Sequence, residues 1–398
     1  MAKKTKSTAK KVGLEGSFAI AEAAKLADVD VVAAYPITPQ THIVERLAEM
    51  VADGELDAQY IPVESEHSAM SACLGASATG ARTLTATAGQ GLELMHEVLY
   101  VASSMRLPIV LTVADRALSA PLSVWGDHSD AMAVRDTGWI QVFAENGQEV
   151  HDLVLWAFRV GEDPEVLFPV MVHLDGFNLS HVTEPVLLAE KADVEKFIPP
   201  FKYPMPLHPG KPVTMGAFGP PIIYTEAKKS QEVAFENTRG TIMKGWEEFE
   251  KIFGRSYHPI ETYKADDAEV LLMTMGSLGE TASLAIDSMR QAGKKVGLIK
   301  LRLWRPFPFD EFRQAVSKAK TLIVLDRCIS FGGPGGPVFS EVKSALYAEE
   351  TRPKVVNFIG GLGGRDVTPE NFEYMITRGI EVAGKGSEAE YEMIGVRE

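Results

Sequence analysis

The residues best suited to chemistry follow the predicted strands of the N-terminal half, at the point where each strand ends. Thr38 stands between two prolines after the first strand, and Glu64 and Glu66 follow the second. A glycine turn at 89–91 follows the third strand, and Arg116 ends the fourth. Because ligands of open parallel sheets bind at the carboxyl ends of the strands, we expect these groups to meet at one rim. A guanidinium can bind a carboxylate, and a carboxyl in an apolar pocket can hold and share a proton.

These residues also have structural interpretations. Thr38 could be an ordinary turn residue, and Glu66 could serve only to place negative charge in the first turn of its helix. Arg116 could form a structural ion pair with Asp115 or Asp127. Against the structural interpretation of Glu66, the helix that it begins is built from small residues and should pack closely, so we expect its N-terminal side to be buried.

Motifs of several common enzyme classes are absent from the sequence. No G-x-G-x-x-G follows the first strand, which leaves a nicotinamide site without support. The sequence also has no P-loop and no G-x-S-x-G nucleophile elbow. His67 and His128 have no partner spacing that indicates a metal site, and we predict no metal ligand in this chain. The glycine-rich segment 332–336 could hold an anion at a helix N-terminus, but packing against another chain is the preferred interpretation.

Strand-like and helix-like segments alternate along the chain in two series, the second with four strands and four helices. Apolar strands that alternate with amphipathic helices are typical of a parallel sheet covered on both faces. We therefore predict two three-layer α/β/α domains. The predicted division is a basic tail at 1–11, a first domain at 12–195, a proline-rich connector with one helix at 196–265, and a second domain at 266–398.

Composition excludes several classes of protein. The 398 residues include 45% hydrophobic and 24% charged residues, and the net charge of −14 argues against binding to nucleic acid. No apolar run reaches the roughly 18 residues that span a bilayer, and no apolar core of a signal peptide follows the basic N-terminus, so we expect a cytoplasmic protein. The two cysteines cannot form a four-cysteine iron–sulfur site, so metal centres for redox chemistry would lie on another chain.

Several motifs, in the same order, resemble those of one enzyme family. They are YPITPQT at 35–41, VESEHSAMSACLGASATGAR at 63–82, TATAGQGLELMHE at 85–97, LPIVLTVADRALSAP at 107–121 and LDGFNLSH at 174–181. Over nearly its whole length the chain is similar to the alpha subunit of the 2-oxoacid:ferredoxin oxidoreductases, of which pyruvate:ferredoxin oxidoreductase is a member.

The resemblance implies a thiamine-diphosphate enzyme whose active site lies between two chains. The first domain would bind the pyrimidine of the cofactor, and the second would resemble a transketolase C-terminal domain. A beta-type partner would supply the diphosphate and Mg²⁺ site, which usually begins with a Gly-Asp-Gly motif that this sequence lacks. A gamma-type subunit and a ferredoxin-like subunit with [4Fe-4S] clusters would complete the complex.

The resemblance also assigns roles to individual residues. Glu66 matches the glutamate that hydrogen-bonds the aminopyrimidine, and Thr38 and Arg116 match the residues that bind the 2-oxoacid. The two prolines beside Thr38 would fix the backbone so that its hydroxyl is already aimed.

Further contacts are expected from the glycine turn and from a loop after Arg116. Gly89, Gln90 and Gly91 are expected to contact the cofactor, although Gly89 stands where pyruvate enzymes tend to have serine. Trp125 either lines the substrate pocket or is a buried loop aromatic.

The function implied is the oxidative decarboxylation of a 2-oxoacid, pyruvate by default, with coenzyme A. Electrons would pass through iron–sulfur clusters to ferredoxin. The first alternative is an aromatic 2-oxoacid such as phenylglyoxylate, with NAD as acceptor through another subunit. The second is a non-catalytic scaffold for electron-transfer partners, in which the Glu66 carboxyl would not matter for activity.

Overall fold

The structure, a computed structural model, describes residues 10–385 and 390–397, so most of the basic tail predicted at 1–11 lies outside the described residues. The elements of the N-terminal half are β1 Lys11–Glu15, α1 Gly16–Leu26, β2 Val31–Ala34, α2 Thr41–Ala52, β3 Gln59–Pro62, α3 Glu66–Ala78, β4 Thr83–Thr87, α4 Gln90–Ser104, β5 Val110–Asp115, α5 Ser129–Ala133, β6 Ile140–Phe143, α6 Gly147–Gly161, β7 Val170–Asp175, β8 Thr183–Leu187 and α7 Lys191–Phe197.

The remaining elements are α8 Pro221–Glu236, α9 Thr238–Phe253, β9 Ile260–Tyr263, β10 Val270–Met275, α10 Leu278–Gln291, β11 Val296–Leu301, β12 Leu303–Arg305, α11 Phe309–Val316, β13 Thr321–Asp326, α12 Pro337–Leu346, β14 Lys354–Ile359, α13 Pro369–Lys385 and β15 Glu392–Met393, with a short 3₁₀ turn at Leu362–Gly364. No described helix is both long and apolar enough to cross a membrane.

The first domain is built on a seven-stranded sheet with the order β12-β6-β7-β5-β4-β2-β3. All its strands run parallel except β12, which is antiparallel to β6. One hydrophobic core joins the sheet to α1, α2, α6 and α9, and another joins its opposite face to α3 and α4. This arrangement confirms the predicted three-layer fold and brings the ends of β2, β4, β5 and β7 to one edge.

The second domain has a six-stranded sheet with the order β15-β14-β13-β10-β11-β9. Helices α10 and α13 pack on one face, and α11 and α12 on the other, which again confirms three layers. Strand β9 lies within the segment assigned to the connector, but it pairs with β11 in this sheet.

Three features of the fold differ from the sequence interpretation. Residues 295–304, which the sequence pattern indicates as one strand, form two strands in different sheets, and the buried Arg302 between them bonds Glu149 and Glu261. Strand β6 lies between Arg116 and α6, where the sequence shows no regular alternation of strand and helix patterns. Helix α8 was missed because none of its residues is buried, so it has no apolar face that a sequence pattern could reveal.

Candidate active site at the strand ends of the first domain

Glu66 is the first residue of α3 and is almost fully buried, with 6% of its surface exposed. The hydroxyl of Ser65 caps the helix by accepting a hydrogen bond from the Ser68 amide at 3.2 Å. Burial raises the pKa of the Glu66 carboxyl, while a backbone hydrogen bond and the charge of Arg116 act in the opposite direction. Glu64 lies two residues earlier and is exposed, hydrogen-bonded to Ser68. Only Glu66 therefore has the buried environment expected of a proton-sharing carboxyl.

The start of α4 faces the Glu66 carboxyl without a side chain. A Cβ atom at Gly91 would lie 2.6 Å from Glu66 Oε1 and 2.5 Å from the hydroxyl oxygen of Thr87. Thr87 Oγ1 and the side-chain oxygen of Gln90 are buried and have no hydrogen-bond partner among the described residues. Glycine is thus required here, and the unpaired hydroxyl oxygen of Thr87 lies beside the Glu66 carboxyl.

Arg116 is buried at the end of β5, with 6% of its surface exposed. Its Nε donates to the Ser123 carbonyl at 2.9 Å, and its Nη1 donates to the Thr38 carbonyl at 3.0 Å. The ion pairs considered with Asp115 and Asp127 are not seen, since Asp115 contacts a histidine, His173, and Asp127 accepts from Ser129 and from the Gly363 amide. Thr38 itself is exposed. The guanidinium therefore joins the threonine turn to the loop that follows β5.

A buried carboxylate that the sequence interpretation missed, Asp130, fixes the backbone between Arg116 and the glycine turn. One oxygen of Asp130 accepts from the Gly89 amide at 2.8 Å and from the Arg116 amide at 2.9 Å. Gly89 has φ of +49°, and a Cβ there would approach Arg116 Cδ to 3.0 Å, so glycine is favoured at this position as well. In the sequence, Asp130 follows no strand and resembles a surface acid, which is why it was not selected.

Trp125 lies in the loop after Arg116 and is 52% exposed, which contradicts its interpretation as a buried aromatic. Its indole contacts the Phe177 ring, with 4.5 Å between centroids. Its carbonyl accepts from the Ala117 amide at 3.0 Å. Gln90, at the start of α4, donates to the Ser119 hydroxyl at 2.9 Å, so the glycine turn and this loop also touch.

A buried polar cluster lies directly beneath these residues, between the two domains. Carboxylates and imidazole of Asp115, His128 and Asp175 come within 4.8 Å of one another, an arrangement that can hold a metal ion. Arg327, however, places Nη1 2.5 Å from Asp175 Oδ1, and His128 Nε2 lies 2.9 Å from the same oxygen. Although burial disfavours the charged carboxylate, Arg327 and His128 hold the pKa of Asp175 well below its ordinary value. The guanidinium of Arg327 thus already balances the charge of the Asp175 carboxylate. The absence of metal ligands from the chain stays a prediction.

The strand-end rule would have found this cluster. Asp175 ends β7, and Arg327 directly follows β13, so both lie at the carboxyl end of a strand. The candidate residues came from the first four predicted strands and therefore did not include them. Cavities of about 1000 and 1050 Å³ lie elsewhere, against α12 and α13 and beside α8.

Replacing Gly91 by alanine is expected to damage the site more than the fold. The added methyl group overlaps Glu66 Oε1 and Thr87 Oγ1, so the carboxyl must move or α4 must shift, at a cost of about 1–3 kcal/mol. We expect the assembled protein to lose about tenfold or more in affinity for the ligand that Glu66 contacts. Titration of thiamine diphosphate into the apo complex measures this loss.

The matched control is Gly75→Ala, in the middle of α3. A Cβ atom at Gly75 meets no atom within 4 Å, and alanine is the better helix former by about 1 kcal/mol. This variant should be at least as stable as the parent and should bind normally. Equal binding by the two variants would contradict the close approach of Gly91 to Glu66.

The two domains match two family models. Residues 22–245 match the model described as pyruvate flavodoxin/ferredoxin oxidoreductase, thiamine diP-bdg, and residues 268–372 match pyruvate:ferredoxin oxidoreductase core domain II. The first match covers more than half of the chain and includes Thr38, Glu66 and Arg116.

Curated relatives align over most of the chain. Pyruvate synthase subunit PorA of Methanothermobacter thermautotrophicus is 50% identical over 90% of this chain and 93% of its own length. Ketoisovalerate oxidoreductase subunit VorA of Pyrococcus horikoshii is 48% identical over 89% and 90%.

A solved structure supports the fold. The 2-oxoglutarate:ferredoxin oxidoreductase from Magnetococcus marinus superimposes with a TM-score of 0.70 at 21% identity, over 93% of this chain and 65% of the other. The family models and the curated relatives confirm the resemblance inferred from the motifs. The chain belongs to the 2-oxoacid:ferredoxin oxidoreductase family, as an alpha-type subunit with a thiamine-diphosphate-binding domain.

Proposed function

We propose that this chain is the pyrimidine-binding half of an enzyme complex that oxidatively decarboxylates pyruvate. In the overall reaction, the C–C bond of the 2-oxoacid breaks to release CO₂, and the acyl group is joined to the thiol of coenzyme A. The electron pair that remains passes through iron–sulfur clusters on partner subunits to ferredoxin, and a proton is released. The observation that carries the proposal is the buried Glu66 carboxyl, which lies beside Gly91 and within electrostatic reach of Arg116.

The residues around Glu66 fit the aminopyrimidine of thiamine diphosphate. The absence of a side chain at Gly91 leaves the space beside the carboxyl unfilled, and the unpaired oxygen of Thr87 next to it can accept from an amino group. When bound, the cofactor supplies the carbon nucleophile and stores the electrons of the broken bond. A carboxyl whose pKa is raised by burial keeps its proton to higher pH than an ordinary glutamate does and can share it with a ring nitrogen.

Arg116 and Thr38 are proposed to bind the carboxylate and carbonyl of the 2-oxoacid. Two of the guanidinium donors are used by the carbonyls of Ser123 and Thr38, which fixes the plane of the group before substrate arrives. Nη2 has no hydrogen-bond partner among the described residues. A fixed cation with a free donor suits a carboxylate and lowers the ordering cost of binding. Trp125, half exposed beside this group, is proposed to line the substrate pocket.

The site needs a second chain. At this rim Thr38 is exposed, whereas Glu66 and Arg116 are almost fully buried, and the sequence has no Gly-Asp-Gly motif for the diphosphate and Mg²⁺. We therefore propose a beta-type subunit against this rim, together with a gamma-type subunit and a ferredoxin-like subunit that carries the [4Fe-4S] clusters.

A branched-chain 2-oxoacid is the second candidate substrate. The relative named ketoisovalerate oxidoreductase is 48% identical, which is as similar as several relatives named pyruvate synthase. Because overall identity does not separate these substrates, the choice depends on pocket residues that the partner chain also contributes. An aromatic 2-oxoacid such as phenylglyoxylate, with NAD as acceptor, stays a prediction.

The test is dye reduction by the anaerobically purified complex, with coenzyme A and each of pyruvate, 2-oxoisovalerate, phenylglyoxylate and 2-oxoglutarate. We expect the highest kcat/KM with pyruvate, and no turnover by the isolated chain, because it holds half of the cofactor site. A complex with intact clusters and bound thiamine diphosphate that reduces dye with none of these acids would contradict the proposed function.

A further inference from the structure

The second domain contacts the substrate side of the site through one loop of the first domain. This loop, residues 123–128, carries Trp125 and the Ser123 carbonyl that accepts from Arg116. Its Gly126 carbonyl accepts from the Gly364 amide at 2.7 Å, and the Asp127 carboxylate accepts from the Gly363 amide at 3.0 Å. The loop is therefore held in part by the second domain, which does not itself supply a site residue.

Arg327 reaches from the second domain to both this loop and the sheet of the first domain, where His128 of the loop also contacts Asp175 directly. The Nη2 of Arg327 donates to the Gly126 carbonyl at 3.2 Å, and its backbone carbonyl accepts from the His128 amide at 2.9 Å. Its Nη1 forms the ion pair with Asp175 at the end of β7. Arg327 is 4% exposed, so these contacts are made away from solvent.

The strand end that Arg327 holds also supports the other substrate residue. Gly176 follows Asp175, and a Cβ there would lie 2.7 Å from Pro39 Cγ, so the turn that presents Thr38 packs directly on this backbone. The Gly176 amide donates to the Asp115 carbonyl at 3.0 Å, one residue before Arg116. Thr38, Arg116 and the loop 123–128 thus all rest on the backbone that is clamped by the ion pair.

We infer that Arg327 is a positioning residue for substrate binding, by which the second domain sets the placement of Arg116 and Trp125. This inference rests on the proposed function for its kinetic consequence. Glu66 and Gly91 make no contact with Arg327 or with the loop 123–128 among the hydrogen bonds of the described residues, so cofactor binding should not depend on it. An effect of Arg327 on substrate binding can therefore be separated by experiment from an effect on cofactor binding.

The test compares Arg327→Met with Arg302→Met in the assembled complex. Arg302 is also 4% exposed and also joins the domains, through Glu149 and Glu261, but none of its partners lies in residues 116–128. Both changes remove a buried interdomain cation and should lower the melting temperature. We expect only Arg327→Met to raise the KM for the 2-oxoacid, by about 10- to 100-fold, with a smaller change in kcat and an unchanged half-saturation for thiamine diphosphate.

Arg327→Lys adds a test of geometry. Lysine keeps the charge beside Asp175 but cannot reach the Gly126 carbonyl with the same planar fork, so its KM should fall between those of the parent and Arg327→Met. Equal KM values for Arg327→Met and Arg302→Met, or an equal rise in KM and in thiamine-diphosphate half-saturation, would overturn the inference.

Hydrogen exchange in the full chain gives a readout that does not need activity. The amides of Ala117, His128 and Gly363 should exchange faster in Arg327→Met than in Arg302→Met, because their acceptors lie in or against the loop. If the wild-type complex turns over no 2-oxoacid, the proposed function fails. The exchange rates of these amides in the two variants then decide whether Arg327 positions the loop. Equal exchange of these amides in the two variants would then overturn the inference.

Discussion

Replacing Glu66 by glutamine in the assembled complex is expected to lower kcat by about two to four orders of magnitude. Glutamine keeps the size of the side chain and can still hydrogen-bond, but it cannot take up or release a proton. Burial raises the pKa of Glu66, which favours a carboxyl that takes up and releases a proton during the reaction, so the loss should fall on kcat more than on KM for the 2-oxoacid. Steady-state dye reduction with saturating coenzyme A measures both constants.

Glu64→Gln is the control for this prediction. Glu64 lies two residues away on the same turn, is exposed, and hydrogen-bonds the Ser68 hydroxyl. Because it faces solvent, its replacement should leave kcat and KM close to those of the parent. Full activity of Glu66→Gln would instead support the scaffold hypothesis, in which this chain organises electron-transfer partners without taking part in the chemistry.

The fold class and the position of Glu66 and Arg116 at the strand ends could be predicted from the sequence because both depend on local patterns. Buried runs such as the strand Val110–Asp115 are mostly apolar, and the residue that follows a parallel strand necessarily lies at its carboxyl edge. Glu66 and Arg116 were found by that rule alone. The family resemblance then supplied their roles, since residue type and spacing do not identify a cofactor.

The residues that support the rim could not be found in the same way. Asp130 acts by accepting two backbone amides from segments 41 and 14 residues away, and no local pattern records such a contact. Arg327 depends on how the domains pack, because its partners Asp175 and Gly126 belong to the other domain. Long-range placement of this kind follows from tertiary packing, and a single sequence does not show it.

Arg116→Met is expected to raise the KM for the 2-oxoacid by about 10- to 100-fold, the value of a hydrogen bond to a charged group. Methionine fills similar volume but offers neither the charge nor the donors that a carboxylate requires. The change should also move the pH dependence of kcat. The charge of Arg116 lowers the pKa of Glu66, so removing it raises that pKa further, and the limb of the profile that reports Glu66 should shift to higher pH.

Arg116→Lys separates the two effects of the arginine. Lysine retains the positive charge, so the pH limb should stay nearer to that of the parent. It cannot donate to the Ser123 and Thr38 carbonyls and to a substrate carboxylate with one fixed plane, so the KM should still rise. A pH limb that shifts equally in both variants would show that charge is not how Arg116 acts on Glu66. An unchanged KM in Arg116→Met would place the substrate carboxylate elsewhere on the rim, most simply on the partner chain.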